Sequence, residues 1–513
     1  MRGRLLVAYS NASNFVSTTA EYLNSICRYV DFDVRYVHVT HGAELDFDFN
    51  EFDAVFQSYC ARLPFDGYVS DSYLQKMKSF RGLKLLAVQD EYEHTNKLKA
   101  GIRAIGYHVV FTNAPPNTIE AIYPKQEFPD TEFITVLTGY VPEDLERSGR
   151  ELIPLQERSI EIGYRCRMLP AYYGELCFEK FEIGRRMRDI CIERGIPHDI
   201  EWSDDKRLYG RAWYDFIGMC RTNLGSESGS NVFDFDGTVR ATHDRLAAER
   251  GAPVPYEEFR CYTDPIERHY DFGQISPRIF EAAAMRTPLI LYSGGYSGAI
   301  VPDEHYIELK KDFSNIDAVL ARLDDTDDLT AMADRAYCHL VASGDFSYRR
   351  FCRLIEDTVR RKSDELGIEL RAPRREFSHD EGYNPGALPG FVEVPTPAPR
   401  HSAIFFHREL RRQNLAYEGE IKRLNGAIAE LRAALPIPPP VTVVPQPVTV
   451  FPTPAPAPIP LTPAPSAPPS AGALRRLLTS SGMRRLGRGL LAFFPESIAG
   501  RLKARLVALV TRL

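Results

Sequence analysis

The chain has 513 residues, of which 44% are hydrophobic and 26% charged, the balance of a soluble globular protein with length enough for two or three cored domains. Its formal net charge of -6 excludes a chain that holds nucleic acid through overall basicity, and nine scattered cysteines without CxxC pairing suggest neither a zinc site nor a disulfide framework. No run reaches the ~18 apolar residues of a membrane span, and the apolar run after the first arginines is too short for a signal-peptide core, so a cytoplasmic location is expected.

The chain opens as β-α-β. Apolar runs predict strands at Leu5 to Tyr9, Val34 to Val39, Asp53 to Phe56, Lys84 to Val88, His108 to Thr112 and Phe133 to Leu137. Helical patterns cover Ser17 to Tyr29, Asp71 to Ser79 and Asn96 to Ala104. A doubly wound parallel sheet over residues 1–150 is the economical fold, with ligands at the carboxyl ends of its strands. Two loops at such ends carry chemistry. Ser10, Asn11 and Asn14 follow the first strand and could line a hydroxyl-rich acceptor, or form a solvated turn. Asp90 and Glu91, in the loop Gln89 to Tyr92, are candidate general bases for an acceptor hydroxyl, with two solvated acids as the rival reading. Thr112 to Pro116 reads as a structural loop, and the histidines 41, 94 and 108 share no metal-ligand spacing.

A second α/β unit is expected over residues 151–370. Strands are predicted at Ile160 to Tyr164, His198 to Trp202 and Arg221 to Leu224, with helices at Glu179 to Arg194 and Trp213 to Cys220. Arg165 and Arg167 leave the first of these strands on one side, which suits a shared anion as well as it suits two exposed arginines. The hydroxyl-rich loop Ser226, Glu227, Ser228 follows the third strand and lacks the ending of a Walker loop. Asp234 to Gly237 lacks the remaining oxygens of a calcium loop, so an acidic turn is preferred there. Residues 238–270 read as a charged helical insertion with breaks at Gly251 to Pro255 and Thr263 to Pro265.

The stretch Ser276 to Tyr296 is the most informative. Ser276 suits an N-cap, Pro277 the first helical position, and Arg278 to Met285 a short helix ended before Pro288. A strand Leu289 to Tyr292 then meets the turn at Gly294 and Gly295, where backbone can approach a ligand closely. The helix start would face an anion. An ordinary amphipathic helix with a solvated Glu281 is the alternative. Further on, a strand at Tyr306 to Leu309 and helices at Ile316 to Leu323, Leu329 to Val341 and Phe346 to Val359 are expected.

Arg278, Glu281 and Ala282 match an R-x-x-E-A pattern, and with it the chain resembles a GT-B glycosyltransferase, most similar to the CgeB-like branch, over about residues 1–370. The resemblance implies two facing Rossmann-like domains, the acceptor on the first and a nucleotide-sugar donor on the second. It implies that Glu281 binds the donor ribose, that Gly294, Gly295 and the helix start hold the diphosphate, and that Arg165 or Arg167 assists. The Ser226 to Ser228 loop resembles the segment near the donor sugar in such enzymes, and the Gln89 to Tyr92 loop is also similar to theirs. Many retaining members carry a second Glu eight residues before the first; here that position is Gly273. The expected activity is metal-independent sugar transfer, with no cofactor beyond the donor, to a glycan or lipid-linked acceptor in surface polysaccharide or other glycan assembly. The rivals are a nucleotide-sugar epimerase and a catalytically degenerate scaffold.

The remaining residues read as appendages. Six prolines mark a linker over 371–404, and Leu410, Asn414, Tyr417, Ile421, Leu424, Ile428, Leu431 and Leu435 suit a short coiled coil over 405–435, or one packed amphipathic helix. Residues 436–470 form a proline-rich extended spacer. Residues 471–513 hold nine Lys or Arg against Glu496, a local +8 that leaves -14 for the remainder, and read as basic amphipathic helices for the inner membrane face or for a partner.

Overall fold

The computed structural model describes residues 3–373, apart from 13–16, 143–144 and 146–151. The expected linker beyond 373, the coiled coil, the spacer and the basic tail lie outside the described residues. No helix among the described residues is long and apolar enough to cross a membrane.

The fold is α/β with two all-parallel sheets. The first contains β1 (Arg4–Tyr9), β2 (Asp33–His38), β3 (Ala54–Gln57), β4 (Leu83–Ala87), β5 (Val109–Thr112) and β6 (Glu132–Thr135), in the order β2-β1-β3-β4-β5-β6. Helices α1 (Ser17–Tyr29), α2 (Asp71–Ser79), α3 (Thr95–Ile105) and α4 (Pro116–Ile122) connect them. The second sheet contains β7 (Ile160–Arg165), β8 (His198–Glu201), β9 (Cys220–Gly225), β10 (Leu289–Tyr292) and β11 (Ile307–Leu309), in the order β11-β10-β9-β7-β8. Strands β3, β4 and β5 are buried at every residue, as continuous apolar runs must be when helices cover both faces of a parallel sheet. The strand order reverses direction beside β1 in the first sheet and beside β7 in the second, and such switch points open crevices at the strand carboxyl ends.

In the second lobe α5 (Glu175–Arg194) follows β7, and α6 (Arg211–Met219) precedes β9. The insertion forms α7 (Thr238–Arg250) and α8 (Tyr256–Glu267). Helix α8 runs through Pro265, where a break was expected. The proline falls in the last turn, where it removes one N–H donor of the helix, and the helix ends two residues later. Helix α9 (Pro277–Ala284) has Pro277 at its first position, but the Ser276 side chain makes no capping hydrogen bond. Then follow α10 (Ile316–Ala321), α11 (Thr326–Tyr337) and α12 (Tyr348–Leu366), the last started by the Ser347 hydroxyl on Arg350 N at 3.2 Å and ended by left-handed Gly367.

Helix α12 buries Tyr348, Phe351, Cys352, Ile355 and Val359 in the first lobe's core against Leu23 and Ile26 of α1. Each such side chain contributes about 1.5–3 kcal/mol of burial, and Arg371 continues the return by pairing with buried Asp53 at 2.5 Å. The segment between β9 and α7 makes a second tie between the lobes. Asp234 N donates to Tyr92 O at 2.8 Å, His94 N to Asp234 O at 3.1 Å and Asn96 N to Phe235 O at 3.0 Å, while Phe233 and Phe272 enter the first lobe's core. Of the cysteines, 261 and 338 are exposed, 166 is half-buried and the other six are buried.

Candidate active site between the lobes

A cavity of about 200 Å³ lies where the carboxyl ends of β4, β5 and β6 face the second lobe. Asp90 lines it from the loop after β4, Glu21 and Tyr22 from α1, Ser228 from the loop after β9, and Glu281 from α9. It brings the sequence's candidate base Asp90 and its candidate donor residues Ser228 and Glu281 to one enclosed space.

Asp90 has φ of 54° and His94 of 53°, a left-handed backbone that non-glycine residues seldom adopt. The ties to Asp234 and Phe235 hold the strained loop in place, as strain at a working site requires. Asp90 is exposed; its Oδ1 accepts from Tyr92 OH at 2.7 Å and its Oδ2 from Arg62 at 3.4 Å. Glu91, one residue on, points into the first lobe. It is 1% exposed and accepts from Thr112 Oγ1 at 2.6 Å, Asn113 N at 2.7 Å and the Tyr123 hydroxyl. Burial raises its carboxyl, and those donors pull it back. A carboxylate buried in the first lobe on three internal donors ties β4 to β5 and is not among the residues that line the cavity, so the expected base role does not fit Glu91.

Glu281 is 7% exposed and accepts from Trp213 Nε1 at 2.7 Å. Burial raises its carboxyl, opposed by that N–H and by Arg278. Arg278 lies 4.8 Å over the Tyr164 ring and 5.3 Å over the Trp213 ring and donates to Arg165 O, while its buried Nε has no partner. The start of α9 packs Pro277 against Gly139 of the first lobe, where a Cβ would come within 2.8 Å of the ring.

Arg165 is committed elsewhere. Its guanidinium pairs with Asp199 of β8 at 2.7 Å, donates to Lys206 O at 3.2 Å and stacks 4.2 Å over Phe216. Strand alternation fixed the side it leaves from but not the neighbouring strand's acid, so the shared-anion expectation does not fit Arg165. Arg167 is exposed in the loop after β7. Lys180 of α5, which no motif marked, donates to Ser228 Oγ at 3.0 Å, and Lys311 pairs with buried Glu179 at 2.7 Å.

The turn after β10 is occupied from within the chain. Glu227 Oε1 accepts from Gly295 N at 2.9 Å and Tyr296 N at 2.8 Å. Its carboxylate also fills the space beside Gly273 and Gly294, where a Cβ would meet its oxygens or carbons at 2.6–2.8 Å. Burial raises the Glu227 carboxyl, and the two N–H groups lower it. Ser226 is buried, its hydroxyl 3.3 Å from Glu227 O.

Of the expected acceptor residues, Ser10 and Asn11 are not among those that line the cavity. Ser10 is fully buried with its hydroxyl 3.0 Å from Thr40 Oγ1, and Asn11 N donates to the same oxygen at 2.9 Å, so the turn closes on the end of β2. Asn14 lies outside the described residues. In their place Tyr22, Asn113 and Gln274 line the cavity, and each carries a buried polar atom without a partner. No spacing in the sequence brings these three together. Asp234, in the turn weighed for a metal, instead accepts from Val239 N and Arg240 N at the start of α7. Among the described residues no group of three or more His, Cys, Asp or Glu is placed to hold a metal ion.

No family model matches the chain, and no curated protein matches it. Among solved structures it is similar to an α-glucosyltransferase in complex with UDP and a 13-mer DNA, with 11% identity, TM-score 0.43 and coverage of 70% of this chain and 99% of that one. It is similar to Anabaena HepE in complex with UDP and glucose, with 11% identity, TM-score 0.39 and coverage of 70% and 100%. A sucrose-phosphate synthase from Thermosynechococcus elongatus gives 12% identity, TM-score 0.36 and coverage of 71% and 100%.

Proposed function

We propose that the protein is a glycosyltransferase that moves a sugar from a nucleoside-diphosphate donor to an acceptor hydroxyl. The observation that carries this reading is the convergence of Asp90 and Glu281, from opposite lobes, on one cavity, with Arg278 and Lys180 behind its second-lobe wall. The donor lies on the second lobe, its ribose hydroxyls on Glu281 and its diphosphate toward Arg278 and Lys180. The acceptor enters from the first lobe.

In an inverting course the acceptor oxygen attacks the anomeric carbon, its proton passes to Asp90, and the bond from that carbon to the diphosphate oxygen breaks with its electron pair on the leaving group. A positioned base contributes about 10²–10⁴-fold, and the cations offset the charge that develops on the diphosphate. Basic side chains take the part a metal plays elsewhere. Glycan assembly at a membrane face, with residues 471–513 as the anchor and residues 405–435 as an oligomerisation helix, is the setting this reading favours.

The test is a thermal-shift series on the full chain with UDP, GDP, ADP and TDP and their glucose conjugates. A bound donor raises stability by about 2.7 kcal/mol at a hundredfold excess over its Kd, and Glu281→Ala should remove the shift. A well-folded chain that shifts with none of them is no transferase of this kind, and the scaffold reading would replace it.

A further inference from the structure

The turn after β10 has the shape of an anion site. Gly295 has φ of -86° and ψ of -25°, a right-handed backbone, and Tyr296, Ser297 and Gly298 follow with φ of 46°, 55° and 71°. A right-handed residue followed by a left-handed one turns successive N–H groups toward one point, a concavity that binds anions. Two consecutive non-glycine residues at positive φ are strained and persist only where their surroundings hold them. Here Tyr296 is fully buried with its hydroxyl donating to Tyr292 O at 2.6 Å, and Ser297 Oγ accepts from Ile275 N and donates to Gln274 Oε1, both at 3.1 Å. None of these bonds involves Glu227, so the turn keeps its shape without that residue.

Glu227 fills the concavity with one oxygen. Its Oε1 takes Gly295 N at 2.9 Å and Tyr296 N at 2.8 Å, while among the described residues Oε2 accepts no hydrogen bond and no Lys, Arg or His lies within ion-pair distance of the carboxylate. Asp271 adds a second negative charge nearby. Lys180, by contrast, donates to the neutral hydroxyl of the next residue, Ser228, at 3.0 Å. The backbone of Ser228 is fixed by its exchange of N–H bonds with Gln274 at 2.7 and 2.8 Å, so Glu227 can leave the turn by rotating its side chain alone. Gly294 and Gly295 are exposed and Glu227 is half-buried, which opens the N–H pair to solvent and gives the side chain somewhere to go. A phosphoryl group offers more charge and more acceptor oxygens to the same two donors, and it can reach for Lys180 as well.

We propose, on the transferase reading above, that Glu227 is an internal stand-in for a donor phosphate: its carboxylate holds the Gly295 and Tyr296 N–H pair in the unliganded chain and swings off when a nucleoside diphosphate binds. The two anions cannot use the same donors at once, so each diphosphate bound releases one carboxylate. The measured affinity is then the intrinsic one reduced by the fraction of chains in which Glu227 is already off the pair. A free monoanion gains little over a carboxylate tethered beside the same donors. A diphosphate, with its greater charge and with Lys180 at hand, displaces it. The contact thus acts as a gate that admits diphosphates and refuses weaker anions.

The experiment is isothermal titration of the full chain, as wild type, Glu227→Gln and Glu227→Ala, with UDP, GDP, ADP, TDP and inorganic pyrophosphate, with urea midpoints measured alongside. Both variants should bind pyrophosphate, and whichever nucleoside diphosphate the wild type takes, about tenfold more tightly, as for a gate open in about a tenth of wild-type chains. A residue that merely supports the site would give the opposite sign. Glu227→Gln keeps the shape of the side chain and carries the test if Glu227→Ala fails to fold. Diphosphate binding that both variants leave unchanged or weaken would overturn the gate and leave the transferase reading standing. A wild type that binds no nucleoside diphosphate, with pyrophosphate tightened in the variants, would overturn the transferase reading and keep the gate. Binding of none of the five by any of the three chains would overturn both.

Discussion

Trp213 Nε1 donates to Glu281 Oε2 at 2.7 Å, so the carboxylate of α9 is aimed by a ring on α6. The same ring lies under Arg278 and stacks on Phe216 at 5.8 Å. Trp213→Phe would keep the stacking and remove the donor. It should cost about 1–3 kcal/mol of stability through the unpaired buried carboxylate and weaken nucleotide binding about tenfold, read by urea titration and calorimetry. Unchanged nucleotide affinity would mean that Glu281 does not need this orientation.

The adjacent acids of the β4 loop should separate cleanly. Asp90→Asn should lower kcat about 10²–10⁴-fold with nucleotide affinity and urea midpoint unaltered. Glu91→Gln should do the opposite, costing about 1–3 kcal/mol because it disturbs the bonds to Thr112, Asn113 and Tyr123, while leaving the pH profile of turnover in place. Single-turnover assays and denaturation on both variants decide it, and a kinetic loss confined to Glu91→Gln would reverse the assignment.

Glu227 depends on two glycines. A Cβ at 294 would lie 2.7 Å from its Cδ and one at 273 would lie 2.6 Å from its Oε1, so Gly294→Ala or Gly273→Ala must push the carboxylate off Gly295 N and Tyr296 N. Neither position needs a left-handed backbone, so the effect is one of space. Each should cost about 1–3 kcal/mol and alter donor-sugar selectivity, whereas Gly298→Ala, with open space at its Cβ, should show only backbone strain from its φ of +71°. Crystallography of Gly294→Ala would show directly whether Glu227 has moved.

A stability effect with a definite pH sign is expected from Glu267. Its carboxylate accepts from Glu175 N at 2.6 Å at the start of α5, and burial, aided by the Glu175 and Asp264 carboxylates, pushes its pKa from 4.5 up to about 7. The folded chain therefore keeps this proton where the unfolded chain has lost it. The group's contribution is full below about pH 4.5 and shrinks as pH rises toward about 7. Glu267→Gln should gain stability relative to wild type across that window, measured as urea midpoints at its two ends; parallel pH dependence in both proteins would contradict it.

The strands were legible because buried parallel strands are short apolar runs between turn residues, and Leu289–Tyr292 could be bounded by Pro288 and a glycine turn without any knowledge of its neighbours. Helix α4 was not, since its start at Pro115 and Pro116 reads equally as a loop. The sequence by itself determined the two α/β units, the β4 loop with its acids and the α9 helix with its Arg and Glu, all of which are patterns within a few consecutive residues. Only the tertiary structure decided which acid of the loop faces the cavity, that Asp199 claims Arg165, that Glu227 fills the place beside Gly273, and that Tyr22, Asn113 and Gln274 line one cavity. Those facts depend on side chains from separate strands and lobes competing for the same donors and the same volume, and local periodicity holds no record of that competition.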